Sequence, residues 1–192
     1  MAADGRSARE MQAQLKKTVV LVGMMGAGKT AVGKALAQVL SVPFRDSDSA
    51  IEEAANMSIA EIFARDGEPF FRRKESQVIE RLLEAPPSVL STGGGAYMSA
   101  DNRKLITGKG IAVWLDVELP LLWSRVRHKD TRPLLRTPDP HATLRELYAA
   151  RVPVYARADV TVKARPHFSV EDMAVKVRNA LLERPDVLEK IE

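Results

Sequence analysis

Gly23-Met24-Met25-Gly26-Ala27-Gly28-Lys29-Thr30 is the stretch that decides the fold of this chain. It has the form G-x-x-x-x-G-K-T, follows the β-branched run Val19-Val20-Leu21-Val22, and precedes a helical pattern from Ala31 to Leu40. Strand, glycine-rich loop and helix in that order make a P-loop. Its glycines let successive backbone N–H groups point into one concavity, and the helix N-terminus behind them adds partial positive charge. A nucleotide polyphosphate fits such a cradle. The nucleotide-binding candidates are therefore Gly26, Ala27, Gly28, Lys29, Thr30 and Ala31. Lys29 reaches toward the β- and γ-phosphates, and the Thr30 hydroxyl toward the Mg²⁺ that bridges them.

Outward from the loop, strands alternate with helices. The first helix carries Val32, Leu36, Val39 and Leu40 on one face and ends near Ser41, ahead of Pro43. Phe44-Arg45-Asp46-Ser47-Asp48 reads as a short strand ending in two acids, and Ser49-Ala50-Ile51-Glu52 has the form of a capping box that starts a helix. Ser58 and Glu61 repeat that form, and Phe71, Val78, Ile79, Leu82 and Leu83 share a face of the helix from about Glu68 to Pro86. Ser88–Ser91 is a strand running into Thr92-Gly93-Gly94-Gly95; Ile111–Leu115 and Val160–Val162 are two more. Helices are expected near Ala100–Ile106, Leu119–Arg127, His141–Tyr155 and Ser169–Leu182, with a charged, aperiodic loop over His128–Asp139. The fold class is α/β: a parallel sheet covered by helices on both faces, with ligands at the carboxyl ends of its strands.

The length of 192 residues suggests one domain. Residues 1–16 show no convincing strand and read as a flexible extension, and 186–192 as a C-terminal tail. The chain has no Cys, so disulfides and thiolate metal sites are excluded. It shows neither a twenty-residue apolar span nor a signal-peptide core, which points to the cytoplasm and away from a membrane. A formal charge of +4 without Lys/Arg blocks, and with 5% aromatics, argues against a nucleic-acid partner and suits an enzyme of anionic substrates.

The strand-end rule gathers the P-loop, Asp46, Asp48 and Gly93–Gly95 into one site. In an extended segment Asp46 and Asp48 lean the same way, roughly 6 to 7 Å apart, so one can hold Mg²⁺ through water while the other faces a hydroxyl. The alternative for Asp48 is a helix cap, although Ser49 can cap for itself; for Asp46 it is a loop acid. Arg72 and Glu75 lie one turn apart, so the carboxylate can hold the guanidinium, as it would in any surface ion pair. Arg151 shares a face with Leu144, Leu147 and Tyr148, where a cation needs an anion or must snorkel out. Two arginines converging on one carboxylate satisfy it. Three consecutive glycines exceed what a turn needs and suggest close approach of backbone to ligand. Arg132, within Arg-Pro-Leu-Leu in the charged loop, is placed to close over transferring phosphate. His128, His141 and His167 lack ligand spacing.

Taken together, Gly23–Thr30, Asp46-Ser47-Asp48, Phe71-Arg72-x-x-Glu75, Gly93-Gly94-Gly95, Arg132-Pro133-Leu134-Leu135 and Arg151-x-Pro153-x-Tyr155 resemble the shikimate kinase family from about Lys17 to Val162. The resemblance implies a nucleoside-monophosphate-kinase-like fold, a three-layer α/β/α arrangement with a five-stranded parallel sheet. It implies one kinase domain over 17–185, with a substrate-binding helical insert at about 47–84 and a lid at about 126–139. The implied activity is transfer of the ATP γ-phosphoryl group to the 3-hydroxyl of shikimate, with one Mg²⁺ per ATP, in a protein expected to be monomeric. By position, Asp48 resembles the residue that binds the shikimate hydroxyls and acts as base. Arg72 and Arg151 resemble the carboxylate clamp, with Glu75 orienting Arg72. Gly93, Gly94 and Gly95 would contact the ring, with Phe63 and Phe71 as its aromatic wall. Arg132 resembles the lid arginine and Arg125 the residue packed on adenine. Ser91 stands where many P-loop enzymes carry a metal-directed Asp, which leaves the metal to Thr30 and Asp46. The nearest alternative is a P-loop kinase for another polyol acid such as gluconate; a silent nucleotide- or shikimate-binding regulator is a different class.

Overall fold

Thr18–Val22 forms β2, buried along its whole length in the computed structural model, which describes residues 13–129 and 132–191. Such a run, rich in β-branched residues, belongs at the centre of a sheet covered on both faces. The sheet has five strands in the order β3 (Phe44–Asp46), β4 (Val89–Ser91), β2, β5 (Gly110–Asp116) and β6 (Val160–Lys163). Every pairing is parallel, with Val20 opposite Leu90 on one side and Ala112 on the other. The parallel five-stranded architecture expected from the resemblance is thus found.

The order of the strands creates the crevice. From β2 the chain crosses through α1 (Lys29–Leu40) to the edge strand β3, and from β4 it crosses back past β2 through α4 (Ala100–Lys109) to β5. Two right-handed crossovers running in opposite directions leave their helices on opposite faces of the sheet. Beside α1 packs α7 (Val170–Leu182), and beside α4 packs α3 (Ile59–Glu84). The reversal makes the carboxyl end of β2 a topological switch point, where ligands bind in such sheets. Between β3 and β4 the chain inserts α2 (Ser47–Ala55) and α3, which carry a small core of their own from Ile51, Ile62, Phe71 and Val78. The Ser58–Glu61 capping box forms, and α3 breaks at Gly67 (φ 81°) before Pro69, which explains why its two halves read as separate helices. α5 (Leu119–Val126) and α6 (Pro140–Tyr155) flank the charged loop, where Pro133–Leu135 is a 3₁₀ turn. Among the described residues no helix is long and apolar enough to cross a membrane.

Three local expectations need correction. β3 ends at Asp46, not Asp48, and the cap of α2 is Asp46, whose Oδ1 accepts the Ser49 N–H at 3.0 Å. Ser49 therefore caps nothing, and Asp48 sits in the first helical turn, so the two acids do not share an extended run. Val39 is 46% exposed and lies off the apolar face of α1. Ala13–Leu15, where no strand was expected, forms β1 and pairs antiparallel with β7 (Leu188–Lys190). Leu15 and Leu188 both enter the main core through this pairing. Residues 1–12 lie outside the described residues.

Leu188 is 1% exposed, so Leu188→Ala should cost about 2–5 kcal/mol in urea denaturation. Val39→Ala, on the exposed rim of α1, should change stability by less than about 0.5 kcal/mol.

Candidate functional site

α1 begins at Lys29 with Gly28 as its N-cap in the left-handed region (φ 88°), and no side chain caps it. Its first N–H groups therefore stay available to an anion. Gly26 also has positive φ, and a Cβ there would come within 2.7 Å of Val126 Cγ1, so α5 presses the loop into shape. The Lys29 ammonium folds onto the loop and donates to the carbonyls of Gly23 (2.7 Å) and Met24 (3.0 Å). Burial, and then the neighbouring Arg132, pull its pKa down to about 8.

The loop opens on a cavity of about 530 Å³ that gathers Lys29, Thr30, Asp46, Asp48, Gly93, Gly94, Arg125 and Arg132. The strand-end rule thus brings together the segments it named. Asp48 has its pKa raised to about 6, first by burial, then by Asp46 and Glu75, against the pull of Lys29. Arg125 is anchored by Nη1 donating to the Gly26 carbonyl at 3.1 Å, and burial lowers its pKa. Ser91 and Thr92 are both buried, with the Thr92 hydroxyl donating to Leu21 O at 3.0 Å. Among the described residues no three His, Asp or Glu side chains form a metal cage. Thr30 and Asp46 offer hard oxygen donors; since the cap uses Asp46 Oδ1, one carboxylate oxygen is left for a cation.

On the far side of the glycine run lies a second cavity, of about 380 Å³, lined by Arg72, Glu75, Gly95, Arg151 and their neighbours. Arg72 Nη1 donates to Glu75 Oε1 at 2.9 Å, and Glu68 lies at 3.4 Å from the same guanidinium. The Glu75 side chain is 2% exposed. Burial raises its pKa, against the Arg72 hydrogen bond that lowers it.

The glycine run is the floor between the two cavities. A Cβ on Gly93 would come within 2.9 Å of Asp48 Oδ1, one on Gly94 within 2.9 Å of Arg151 Nη1, and one on Gly95 within 2.6 Å of Arg72 Nη2. Three consecutive glycines thus abut three side chains from α2, α6 and α3. The close approach expected of a ligand is made by the residues themselves. The turn after it is held from two sides: the buried Asn102 donates to Ala96 O at 2.9 Å while accepting from the Ser76 hydroxyl, and Arg103 donates to Tyr97 O at 2.8 Å.

Two parts of the site differ from the sequence reading. Phe71 is buried in the small core of the insert, its ring tilted by 39° against Phe63 at 4.7 Å, and neither ring lines either cavity. Phe71 instead lies under the Arg72 guanidinium, 5.2 Å from its ring centre. Conversely, Ala164, Phe168, Val170 and Met173 line the crevice beside the P-loop, though no motif marks them. The only sequence signal was their place after the last parallel strand, on the edge where ligands bind.

A sequence profile described as Shikimate kinase matches residues 25–189. A shikimate kinase of Cereibacter sphaeroides is 65% identical over 184 residues, spanning 96% of this chain and 92% of its own. The solved structure of shikimate kinase from Acinetobacter baumannii in complex with shikimate superposes with TM-score 0.81 at 38% identity, covering 87% of this chain and 93% of its own. A gluconokinase from Sinorhizobium meliloti superposes with TM-score 0.53 at 20% identity over 87% of this chain and 95% of its own, a likeness of fold alone.

The buried Glu75 has a measurable consequence for pH. Its pKa lies above the ordinary value of 4.5 in the folded chain, so the folded state keeps its proton longer than the unfolded one. Stability contributed by this group is then full below about 4.5 and falls as pH rises through the folded pKa. Urea denaturation from pH 4 to pH 7 should show the wild type losing stability relative to Glu75→Gln as pH rises; a constant difference would refute this.

Proposed function

This chain belongs to the shikimate kinase family and transfers the γ-phosphoryl group of ATP to the 3-hydroxyl of shikimate, giving 3-phosphoshikimate and ADP on the route to chorismate and the aromatic amino acids; we propose how its residues divide that work. The observation that carries the division is the glycine run, with Asp48 beside the phosphate cavity and the Arg72 and Arg151 guanidiniums around its other end. A molecule with a hydroxyl at one end and a carboxylate at the other spans that floor.

At the phosphate end, the uncapped N-terminus of α1 receives the β- and γ-phosphates. Lys29 leaves its carbonyl partners to follow them. Thr30 and Asp46 would hold Mg²⁺, which would neutralise charge on the phosphates. Arg132 closes from the lid, taken as about 126–139, onto the γ-phosphate. Arg125 packs beside the base, with Phe168, Val170 and Met173 as the apolar wall opposite. At the acceptor end, in the insert of about 47–84, Arg72 and Arg151 grip the carboxylate, Glu75 fixes Arg72, and the run Gly93–Gly95 lies along the ring. Phe63 and Phe71 support this end from beneath Arg72. The 3-hydroxyl oxygen attacks the γ-phosphorus in line, the bond to the β,γ-bridging oxygen breaks, ADP leaves, and the hydroxyl proton passes to Asp48. Most of the catalysis is positioning and charge neutralisation. The enzyme is proposed to work as a monomer in the cytoplasm.

The test is ADP production by the purified protein with MgATP, with and without shikimate, with gluconate and quinate as controls. Turnover with shikimate alone is expected; turnover with gluconate in its place would sink the assignments of Arg72 and Arg151. Arg72→Ala should raise the KM for shikimate by roughly tenfold or more, the scale of a lost charge-assisted pair, while the KM for MgATP stays within about twofold. Gly95→Ala, which drives a methyl into that guanidinium, should do the same. Gly108→Ala, whose Cβ meets nothing within 4 Å in α4, should leave both constants alone and stabilise by about 0.5–1 kcal/mol.

A further inference from the structure

Tyr155 closes α6 with its side chain fully buried, the ring set between Tyr97 (6.5 Å) and Trp114 (6.3 Å). Its hydroxyl donates to the Gly94 carbonyl at 2.5 Å. The guanidinium of Arg151, one turn earlier on α6, lies beside the same hydroxyl; burial raises the phenol's pKa and this cation lowers it. The phenol's donor is in use, and its lone pairs face the cation. A Cβ on Gly94 would lie 2.9 Å from Arg151 Nη1, 3.6 Å from the Tyr155 hydroxyl and 3.8 Å from the Gly23 carbonyl, which itself takes the Lys29 ammonium. Hydroxyl, guanidinium and glycine therefore close a triangle against the P-loop.

The two arginines of the acceptor end are held in different ways. Arg72 is held by carboxylates, which offset part of its charge. Among the described residues, no carboxylate lies within ion-pair distance of Arg151, and its partner on α6 is the neutral phenol. A neutral acceptor fixes the direction of the fork and leaves its charge for a ligand. We infer that Tyr155 is a positioning residue for the acceptor: its hydroxyl pre-sets the Arg151 guanidinium against Gly94 in the orientation that meets the shikimate carboxylate. The inference rests on the reading of Arg151 as half of the carboxylate clamp. The gain is preorganisation, because a guanidinium already held loses less side-chain freedom when the carboxylate arrives.

The experiment compares wild type, Tyr155→Phe, Arg151→Ala and the double variant, each with shikimate and MgATP varied in turn and with its melting temperature recorded. Tyr155→Phe keeps the ring between its two neighbours and removes only the hydroxyl. The expected result is a KM for shikimate raised roughly five- to twentyfold, the scale of one hydrogen bond to a charged group, with kcat and the KM for MgATP within about twofold. In the Arg151→Ala background the same substitution should change the KM for shikimate by less than about twofold, because the residue it acts through is gone. An equal factor in both backgrounds would overturn the inference, as would equal rises in both Michaelis constants accompanied by a lower melting temperature. Absence of shikimate turnover in the wild-type control would overturn the reading of the clamp, and the inference with it.

Discussion

The site depends on the absence of side chains at three successive positions. Gly93, Gly94 and Gly95 leave β4 at the switch point, and their backbone lies against Asp48, Arg151 and Arg72, which arrive from α2, α6 and α3. Asp48 and Arg72 lie 24 positions apart on successive helices and Arg151 lies far beyond both on α6, so no local period sets the spacing of the three charged groups. The glycine backbone does it by contact: each side chain comes to rest where a methyl would have been. This also explains why the turn beyond the run is fixed by Asn102 and Arg103 from α4. A floor that moved would shift the Asp48 carboxyl and both guanidiniums at once.

Electrostatically, the crevice collects like charges at a cost that an anionic ligand offsets. Lys29 is buried near Arg132, and its ammonium is pulled toward neutrality; Asp48 is buried near Asp46 and Glu75, and its carboxyl is pushed the other way. Both directions are those of groups short of their natural counter-charge. Lys29 meanwhile occupies itself with two loop carbonyls, and the uncapped α1 offers N–H donors with no acidic side chain in its first turn. Polyphosphate supplies the missing negative charge to the same set of donors. This is preorganisation of the kind that stabilises a transferring phosphoryl group.

Much of the fold and the site was legible because the signals were local. The P-loop, the buried strands and the Ser58–Glu61 capping box each fit within a dozen residues and need only backbone rules to read. The failures fall where two local devices compete or where the partner is distant. Ser49 and Asp46 are both competent caps, and only the early end of β3 decides for Asp46. β1 and β7 are three residues each, and neither carries a pattern until it meets the other at the opposite end of the chain. Phe71 shares a helical face with Val78, but its packing with Ile62 and Phe63 runs across the break at Gly67, which no single helical period predicts. The wall from Ala164 to Met173 is apolar and irregular, so its sequence resembles any loop leading into a helix.

The two ends of the crevice recognise their ligands by different means, and this bears on how such a fold changes substrate. At the phosphate end most donors are backbone N–H groups fixed by loop shape, so any sequence that keeps the glycines keeps the function. At the acceptor end the contacts are side chains held by other side chains: Arg72 by Glu75 and Phe71, Arg151 by Tyr155. Changing one gripping residue there leaves its supporter misplaced, a buried Glu75 without its cation or a buried phenol without its donor. Such orphaned polar groups cost more than the lost contact itself. On the proposed roles of Arg72 and Arg151, acceptor specificity is written in pairs of residues, and a switch to another acid calls for each arginine to change together with the group that holds it.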